Sequence, residues 1–194
     1  MGRRPGLFGI VVRLGAAAAL GCATKDKRVA DLDVQACGLV AARRSKDLDR
    51  AMPVLTDLGS TYAVGGAAAA LWMLGRKELA RDVFGAGITA WLVAQGAKQI
   101  YKRVRPYDDQ VSQLMVRRPA GTSYPSGHPA VAAAIERILE PAVVGPARAL
   151  IGRTPRFVAL SRVYVGAHYP TDVVGGLLLG GAIGDLWRRY STDR

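Results

Sequence analysis

Apolar stretches alternate with short polar and basic connections over most of the chain. After residue 60 the apolar stretches cover residues 62–75, 83–97, 130–144, 157–167 and 173–187. Their composition favours helices, and none shows the period-two alternation, bounded by turn residues, of a half-buried strand. The pattern therefore predicts an all-α protein, a helical bundle of about five to six helices.

A membrane setting for this bundle is supported by composition more than by length. Each stretch has roughly 11 to 15 residues, whereas a membrane-spanning helix needs about 20, although flanking residues can extend it. Plentiful Ala and Gly are typical of closely packed membrane helices. Glu136 and Arg137 lie inside the third stretch, where charges must pair or face the bundle interior. We expect a membrane-embedded bundle, with a soluble bundle as the alternative.

Basic residues fall at one end of the bundle if its helices alternate in direction. Lys and Arg prefer cytoplasmic loops, so we expect a bacterial-type cell membrane protein whose opposite end faces the periplasm or exterior. An exported lipoprotein is the alternative. The basic residues concerned are Arg76, Lys77, Arg81, Arg148, Arg153, Arg156, Arg188 and Arg189.

The N-terminal 59 residues divide into two segments. Residues 1–22 begin with Arg3 and Arg4, are then mostly apolar, and end in small residues before Cys22, as export signals and lipoprotein processing sites do. Because Arg13 interrupts the apolar part, a first membrane helix or a helix packed on the domain are alternatives. Residues 23–59 are polar, with an amphipathic helix predicted over 36–55, and residues 60–190 form the bundle domain.

Charge and cysteine content limit the partners. The net charge of +12 favours an anionic partner, but the chain has no nucleic-acid module and no exposed aromatics among its basic residues. We therefore expect an anionic lipid surface or a phosphorylated substrate, and no nucleic acid. Cys22 and Cys37 lack the spacing of metal ligands, and a disulfide between them is one alternative.

The two histidines lie in short polar motifs. His128 ends the run Pro125-Ser126-Gly127-His128. Ser126 is a favourable helix N-cap, Gly127 admits a ligand close to the backbone, and free N–H groups at a helix start bind phosphate. This motif predicts an anion site beside the His128 imidazole.

The second histidine motif is Ser161-Arg162-x5-His168-x3-Asp172. The planar fork of Arg162 can bind two phosphate oxygens. A carboxylate hydrogen-bonded to one ring nitrogen of His168 would leave the other nitrogen free to attack. We expect Asp172 to be that carboxylate.

A third motif supplies further cations. Lys98 and Arg105 are seven residues apart, which predicts one shared face of a helix that Pro106 ends. Lys102 and Arg103 are nearby, and the spacing alone does not exclude them. With both histidine motifs, the set can hold a phosphoryl group and transfer it with no metal or other cofactor.

The three motifs together resemble the signature of the type 2 phosphatidic acid phosphatase superfamily, which includes bacterial acid phosphatases and vanadium haloperoxidases. The resemblance covers about residues 50–190 and implies a helical bundle that hydrolyses phosphomonoesters or pyrophosphates without a metal. It implies His168 as the nucleophile that becomes phosphorylated, Asp172 as its partner and His128 as the general acid. The implied phosphate-binding residues are Lys98, Arg105, Ser126, Gly127 and Arg162.

The resemblance leaves several activities open. Membrane members usually act on lipid phosphates such as phosphatidate, phosphatidylglycerophosphate or polyprenyl phosphate, and we expect such a substrate. An exported soluble or lipid-anchored acid phosphatase of broad specificity would carry the same motifs. A vanadium haloperoxidase would too, but 194 residues leave little room for its additional structure. A membrane protein that only binds anionic lipid through its basic rim would make both histidine placements accidental.

Overall fold

The computed structural model describes residues 5–191, and these fold into eight α-helices and one 3-10 turn with no strand among them. The all-α prediction is confirmed, with more helices than the five or six expected. The bounds are α1 Leu7–Ala23, α2 Lys27–Ala41, α3 Lys46–Asp57, α4 Thr61–Met73, α5 Lys77–Tyr101, α6 Gly127–Leu139, the 3-10 turn Glu140–Ala142, α7 Gly145–Tyr164 and α8 Pro170–Ser191.

Two of these differences have local causes. The single helix predicted over 36–55 is two helices, because Ser45 caps a new one by accepting a hydrogen bond from the Leu48 N–H at 3.4 Å. The helices α5, α7 and α8 have 25, 20 and 22 residues, more than their apolar stretches. Their extra turns contain charged side chains such as Lys77 and Arg148, which point to solvent and leave the helical backbone undisturbed.

The first helix packs against the last. Ile10, Ala17 and Gly21 are buried on this face of α1, and Arg13 forms an ion pair with Asp185 of α8. Of the alternatives for residues 1–22, this arrangement corresponds to a helix packed on the domain.

The predicted processing features of the N-terminus stand differently. Arg3 and Arg4 lie outside the described residues. Cys22 is exposed in the last turn of α1 and Cys37 is buried, and both are free thiols, so the disulfide alternative is wrong. Lipoprotein processing with acylation of Cys22 stays an alternative to a first membrane helix.

A ladder of glycines brings α6 and α8 into backbone contact. The two helices run in the same direction, and at three successive turns a glycine of α8 faces a carbonyl of α6. A Cβ built on each glycine would lie 2.0–2.7 Å from that oxygen, so only glycine permits the approach. The contacts pair Gly176 with Ser126, Gly180 with Ala130, and Gly184 with Ala134.

The packed face of α5 determines where Lys98 lies. Ala86, Ala90 and Ala94 are fully buried at intervals of four residues against α6 and α8. Residues four apart share one face of a helix, and Lys98 is next in this series. Its side chain is therefore directed into the bundle and is only 6% exposed.

The bundle alternates in direction, and its chemistry collects at one end. Lys98 lies in the last turn of α5, His128 in the first turn of α6, Arg162 in the last turn of α7 and Asp172 in the first turn of α8. The opposite end carries Arg76 before α5, Lys77 at its first position, Arg148 in α7, and Arg188 and Arg189 in α8.

The charges inside the third apolar stretch are partly exposed and form ion pairs. The Arg137 Nε atom lies 3.4 Å from a Glu136 carboxylate oxygen and 3.8 Å from one of Asp185. None of the described helices has by itself both the length and the apolarity of a membrane span. The pair α1 and α2, bent by 92°, meets both criteria when taken together.

Substitution of a ladder glycine should separate α6 from α8. Gly180→Ala would place a methyl group 2.0 Å from the Ala130 oxygen, and such overpacking typically lowers stability by about 1–3 kcal/mol. Gly96 of α5 has open space around it, so Gly96→Ala should stabilise the protein by roughly 0.5–1 kcal/mol through helix propensity. Thermal unfolding in detergent measures both, and equal effects would contradict the close contact.

Candidate active site

Lys98 and Arg105 meet by a route that differs from the predicted one. The helix α5 ends at Tyr101, and Lys102 adopts a left-handed conformation with φ 49°. The prediction of one continuous helix up to Pro106 is therefore wrong. In a continuous helix Arg105 would lie about 10 Å beyond Lys98 along the axis, because it comes seven residues later, whereas the turn at Lys102 directs the chain back towards the site.

The Arg105 guanidinium is held rigidly in the loop after α5. Its Nε donates to the Gly121 carbonyl at 2.8 Å, and its two terminal nitrogens donate to the carbonyls of Ala167 at 3.0 Å and Ala120 at 3.1 Å. Nη1 also lies 3.2 Å from Nε2 of His168. Among the described residues, Arg105 is the only arginine that contacts Nε2 of His168. Three backbone carbonyls hold its guanidinium in place.

This contact determines the tautomer of His168. A guanidinium can only donate, so Nε2 must accept and the ring proton is on Nδ1. Burial, together with the positive charges of Arg162, Arg105 and Lys98, lowers the pKa of His168 well below its ordinary value. The imidazole is therefore neutral near pH 7, with the lone pair of Nε2 directed at the cations.

Asp172 orients the other side of this ring, partly through a third residue. Its Oδ2 lies 3.7 Å from His168 Nδ1, which is too long for the predicted direct hydrogen bond. Ser123 bridges the gap, because its hydroxyl donates to Asp172 Oδ2 at 2.5 Å and lies 3.4 Å from Nδ1. The same carboxylate oxygen accepts the Tyr169 N–H at 2.8 Å, so Asp172 also caps the start of α8.

An arginine whose side chain is 10% exposed lies behind Asp172. Arg103 donates to Asp172 Oδ1 at 2.9 Å and to Asp33 of α2 at 2.6 Å. Its guanidinium also stacks on the Tyr169 ring, 4.2 Å from the centroid. The spacing of the Lys98 and Arg105 motif leaves Arg103 as an alternative, and its side chain contacts the carboxylate behind the histidine.

The start of α6 presents unpaired donors, as the Pro125–His128 motif predicts. Ser126 occupies the N-cap position, but its hydroxyl is fully buried and has no hydrogen-bond partner. The Ser126 N–H donates to the backbone oxygen of Asp172 at 2.9 Å, which joins α6 to α8. A Cβ on Gly127 would have its nearest neighbour at 3.9 Å, on Trp91, so the space beside this helix end is open.

His128 lies in the same electrostatic field as His168. Burial, then the charges of Arg162, Lys98 and Arg105, lowers the pKa of His128 to about 3. With no anion in the site, both imidazoles are neutral at pH 7. A bound dianion would offset the cations and raise the pKa of His128, since an opposite charge favours the charged form.

Arg162 completes the cationic wall. It is 2% exposed, its Nη1 donates to the Thr56 hydroxyl of α3 at 2.9 Å, and its Nε is buried without a hydrogen-bond partner. A buried donor left unpaired is costly. The unpaired Arg162 Nε and Ser126 hydroxyl are both groups that an oxyanion would satisfy.

The eight predicted site residues thus come together, and four further polar residues hold them. The predicted residues all lie at the converging helix ends or in the two loops that join them. Three of the supporting residues, in α2, α3 and the loop before α6, carried no sequence signal, because they lie outside the three motifs. The four are Asp33, Thr56, Arg103 and Ser123.

Similar proteins were found by sequence. Residues 79–194 match the PAP2 superfamily. Undecaprenyl-diphosphatase BcrC of Bacillus subtilis is 32% identical over 127 residues, 63% of this chain and 64% of its own length. Decaprenylphosphoryl-5-phosphoribose phosphatase of Mycolicibacterium smegmatis is 34% identical over 125 residues, 63% of this chain and 67% of its own. The chain thus spans about two thirds of the length of these two relatives.

Two solved structures share the fold. A transmembrane PAP2 type phosphatidylglycerolphosphate phosphatase from Bacillus subtilis superposes with a TM-score of 0.81, over 96% of this chain and 97% of that one, at 22% identity. Aquifex aeolicus LpxE gives a TM-score of 0.71, over 80% of this chain and 94% of that one, at 25% identity. The family match covers more than half of the chain and includes all three motifs and the converging helix ends, and the chain belongs to the PAP2 superfamily.

Proposed function

We propose that this protein is a phosphatase that hydrolyses phosphomonoesters, in particular lipid phosphates, through a phosphohistidine intermediate. The single observation that carries the proposal is the environment of His168 Nε2. This unprotonated nitrogen lies 3.2 Å from Arg105, at the buried helix ends where the Ser126 hydroxyl and Arg162 Nε have no partner. A phosphoryl group bound there would meet a nucleophile and satisfy both donors.

In the first step His168 Nε2 attacks phosphorus and the bond to the ester oxygen breaks. The leaving oxygen takes a proton from His128, whose pKa the bound dianion has raised. The phosphorylated imidazole of His168 becomes positively charged while its Nδ1 proton faces Ser123 and Asp172. Charge on the three equatorial oxygens is stabilised by Lys98, Arg105, Arg162, the Ser126 hydroxyl and the Gly127 N–H.

In the second step water replaces the histidine. His128, now neutral, accepts a proton from a water that attacks the phosphohistidine, and the phosphorus–nitrogen bond breaks. Inorganic phosphate leaves, His168 returns to its neutral tautomer, and His128 again holds the proton that it supplied to the first leaving group. The cycle therefore consumes one water, and the proton that His128 takes up from solvent when the dianion binds is regained in the second step.

The substrate class follows from the relatives and from the surface of the bundle. The relatives named above act on isoprenoid lipids that carry phosphate or diphosphate. Large apolar side chains are exposed on the helix flanks, including Phe8, Phe84 and Leu92. We propose a membrane-associated enzyme whose site faces the periplasm or exterior, with residues 60–190 as the phosphatase domain and residues 1–22 retained as its first helix.

A phosphate-release screen tests the function. The detergent-purified full chain should release phosphate from phosphatidate, phosphatidylglycerophosphate or a polyprenyl phosphate faster than from soluble monoesters, and this activity should persist in a chelator. His168→Ala should abolish turnover, with a loss on the order of 10⁴-fold or more, as for other catalytic nucleophiles. Equal activity on soluble esters would favour a broad-specificity acid phosphatase, and halide oxidation with added vanadate a haloperoxidase.

The pH dependence should report Lys98. Burial, then the charges of Arg105 and Arg162, lowers the pKa of Lys98 to about 8. Lys98 therefore loses its charge as pH rises through about 8, and kcat/KM, which reflects the free enzyme, should fall there. Lys98→Arg keeps its charge at that pH and should move this alkaline limb upward. An unmoved limb would assign the limb to another group.

A further inference from the structure

A chain of buried charges connects the polar N-terminal segment to the candidate nucleophile. Asp33 of α2 contacts Arg103, Arg103 contacts Asp172, and Asp172 faces the proton-bearing nitrogen of His168. The side chains of Asp33 and Asp172 are 2% and 0% exposed, and that of Arg103 is 10% exposed. Such buried ions act strongly on one another because little water screens them.

Asp33 makes two separable contributions to this network. One carboxylate oxygen accepts the Thr171 N–H at 3.0 Å, which caps α8. The other accepts the Thr171 hydroxyl at 2.5 Å and Arg103 Nη2 at 2.6 Å. The first contact needs only an oxygen acceptor, whereas the second neutralises the Arg103 guanidinium.

The charge balance gives the second contribution its function. Asp33 and Asp172 each contribute one negative charge and Arg103 contributes one positive charge. The set therefore carries about one net negative charge on the Nδ1 side of the His168 ring. Phosphorylation would make this imidazole positive. Without the Asp33 charge, Arg103 would cancel the field of Asp172 and the charged intermediate would lose stabilisation.

We propose that Asp33 is a positioning residue for the candidate nucleophile His168, acting through Arg103 and Asp172. The inference rests on the proposed function. It extends the working site to α2, which lies outside the residues 79–194 that match the family. Asp33 orients Arg103, leaves Asp172 with a net negative field towards the ring, and touches neither substrate nor reacting atoms.

Asp33→Asn separates the charge from the cap. The amide oxygen can still accept the Thr171 N–H, while the negative charge that faces Arg103 is lost. We expect kcat to fall by about 10- to 100-fold, the range seen when an outer partner of a metal-bound histidine is removed, with KM changed less than about threefold. Asp31→Asn, on the same helix but exposed, is the matched control and should match wild type.

A double variant tests whether the effect passes through Arg103. Arg103→Gln should lower kcat, and adding Asp33→Asn to it should change kcat by less than about threefold, because the link is already broken. Multiplied losses would mean independent roles and would overturn the proposal. If Asp33→Asn does not fold, Arg103→Lys replaces it: one ammonium cannot reproduce the paired contacts, so kcat should fall at constant KM.

The outcomes separate this inference from the proposed function. A wild-type protein that releases no phosphate from any ester overturns the proposed function. A wild-type protein that is active, with Asp33→Asn indistinguishable from Asp31→Asn, overturns only the positioning role. If Asp33→Asn lowers kcat, anion affinity and melting temperature together, the proposal is also overturned, because Asp33 would then be a structural residue.

Discussion

The contact between the backbones of α6 and α8 is the constraint on which the site depends. His128 lies in the first turn of one of these helices and Asp172 in the first turn of the other, so their separation follows from how closely the helix axes approach. Glycine at three successive turns of α8 allows the carbonyls of α6 to lie almost against its backbone. The Ser126 N–H, bonded to the Asp172 oxygen, fixes the register of the two helix starts. A wider spacing would move His128 away from His168.

The sequence contained most of the candidate site and much of the fold. Ser126 was expected at an N-cap, His128 in a first turn, and Asp172 at the start of the last helix, and each lies there. These predictions succeeded because a helix start is specified by a few adjacent residues. The alanine-rich composition likewise indicated close helix packing, and the four-residue spacing of buried alanines in α5 extends to Lys98.

What the sequence did not indicate depends on how distant segments fold together. Arg105 reaches the site because the chain turns back after α5, and no local pattern distinguished that turn from a longer helix. Asp33 and Thr56 come from a segment whose mixed charge gave no reason to single out either residue. The predicted direct hydrogen bond between His168 and Asp172 is wrong for a similar reason. Ser123 bridges the two side chains, and its position is set by the loop before α6.

Because the helices alternate in direction, helix ends of opposite partial charge meet at the candidate site. A helix carries partial positive charge at its N-terminus and partial negative charge at its C-terminus. The N-termini of α6 and α8 and the C-termini of α5 and α7 meet at one place. Lys98 and Arg162 occupy the two negative ends, where cations are favoured. Of the two positive ends, that of α8 is capped by Asp172 and Asp33, and that of α6 stays open to an anion. This arrangement of partial charges depends only on which ends of the four helices come together. It would therefore persist if the connecting loops had other sequences.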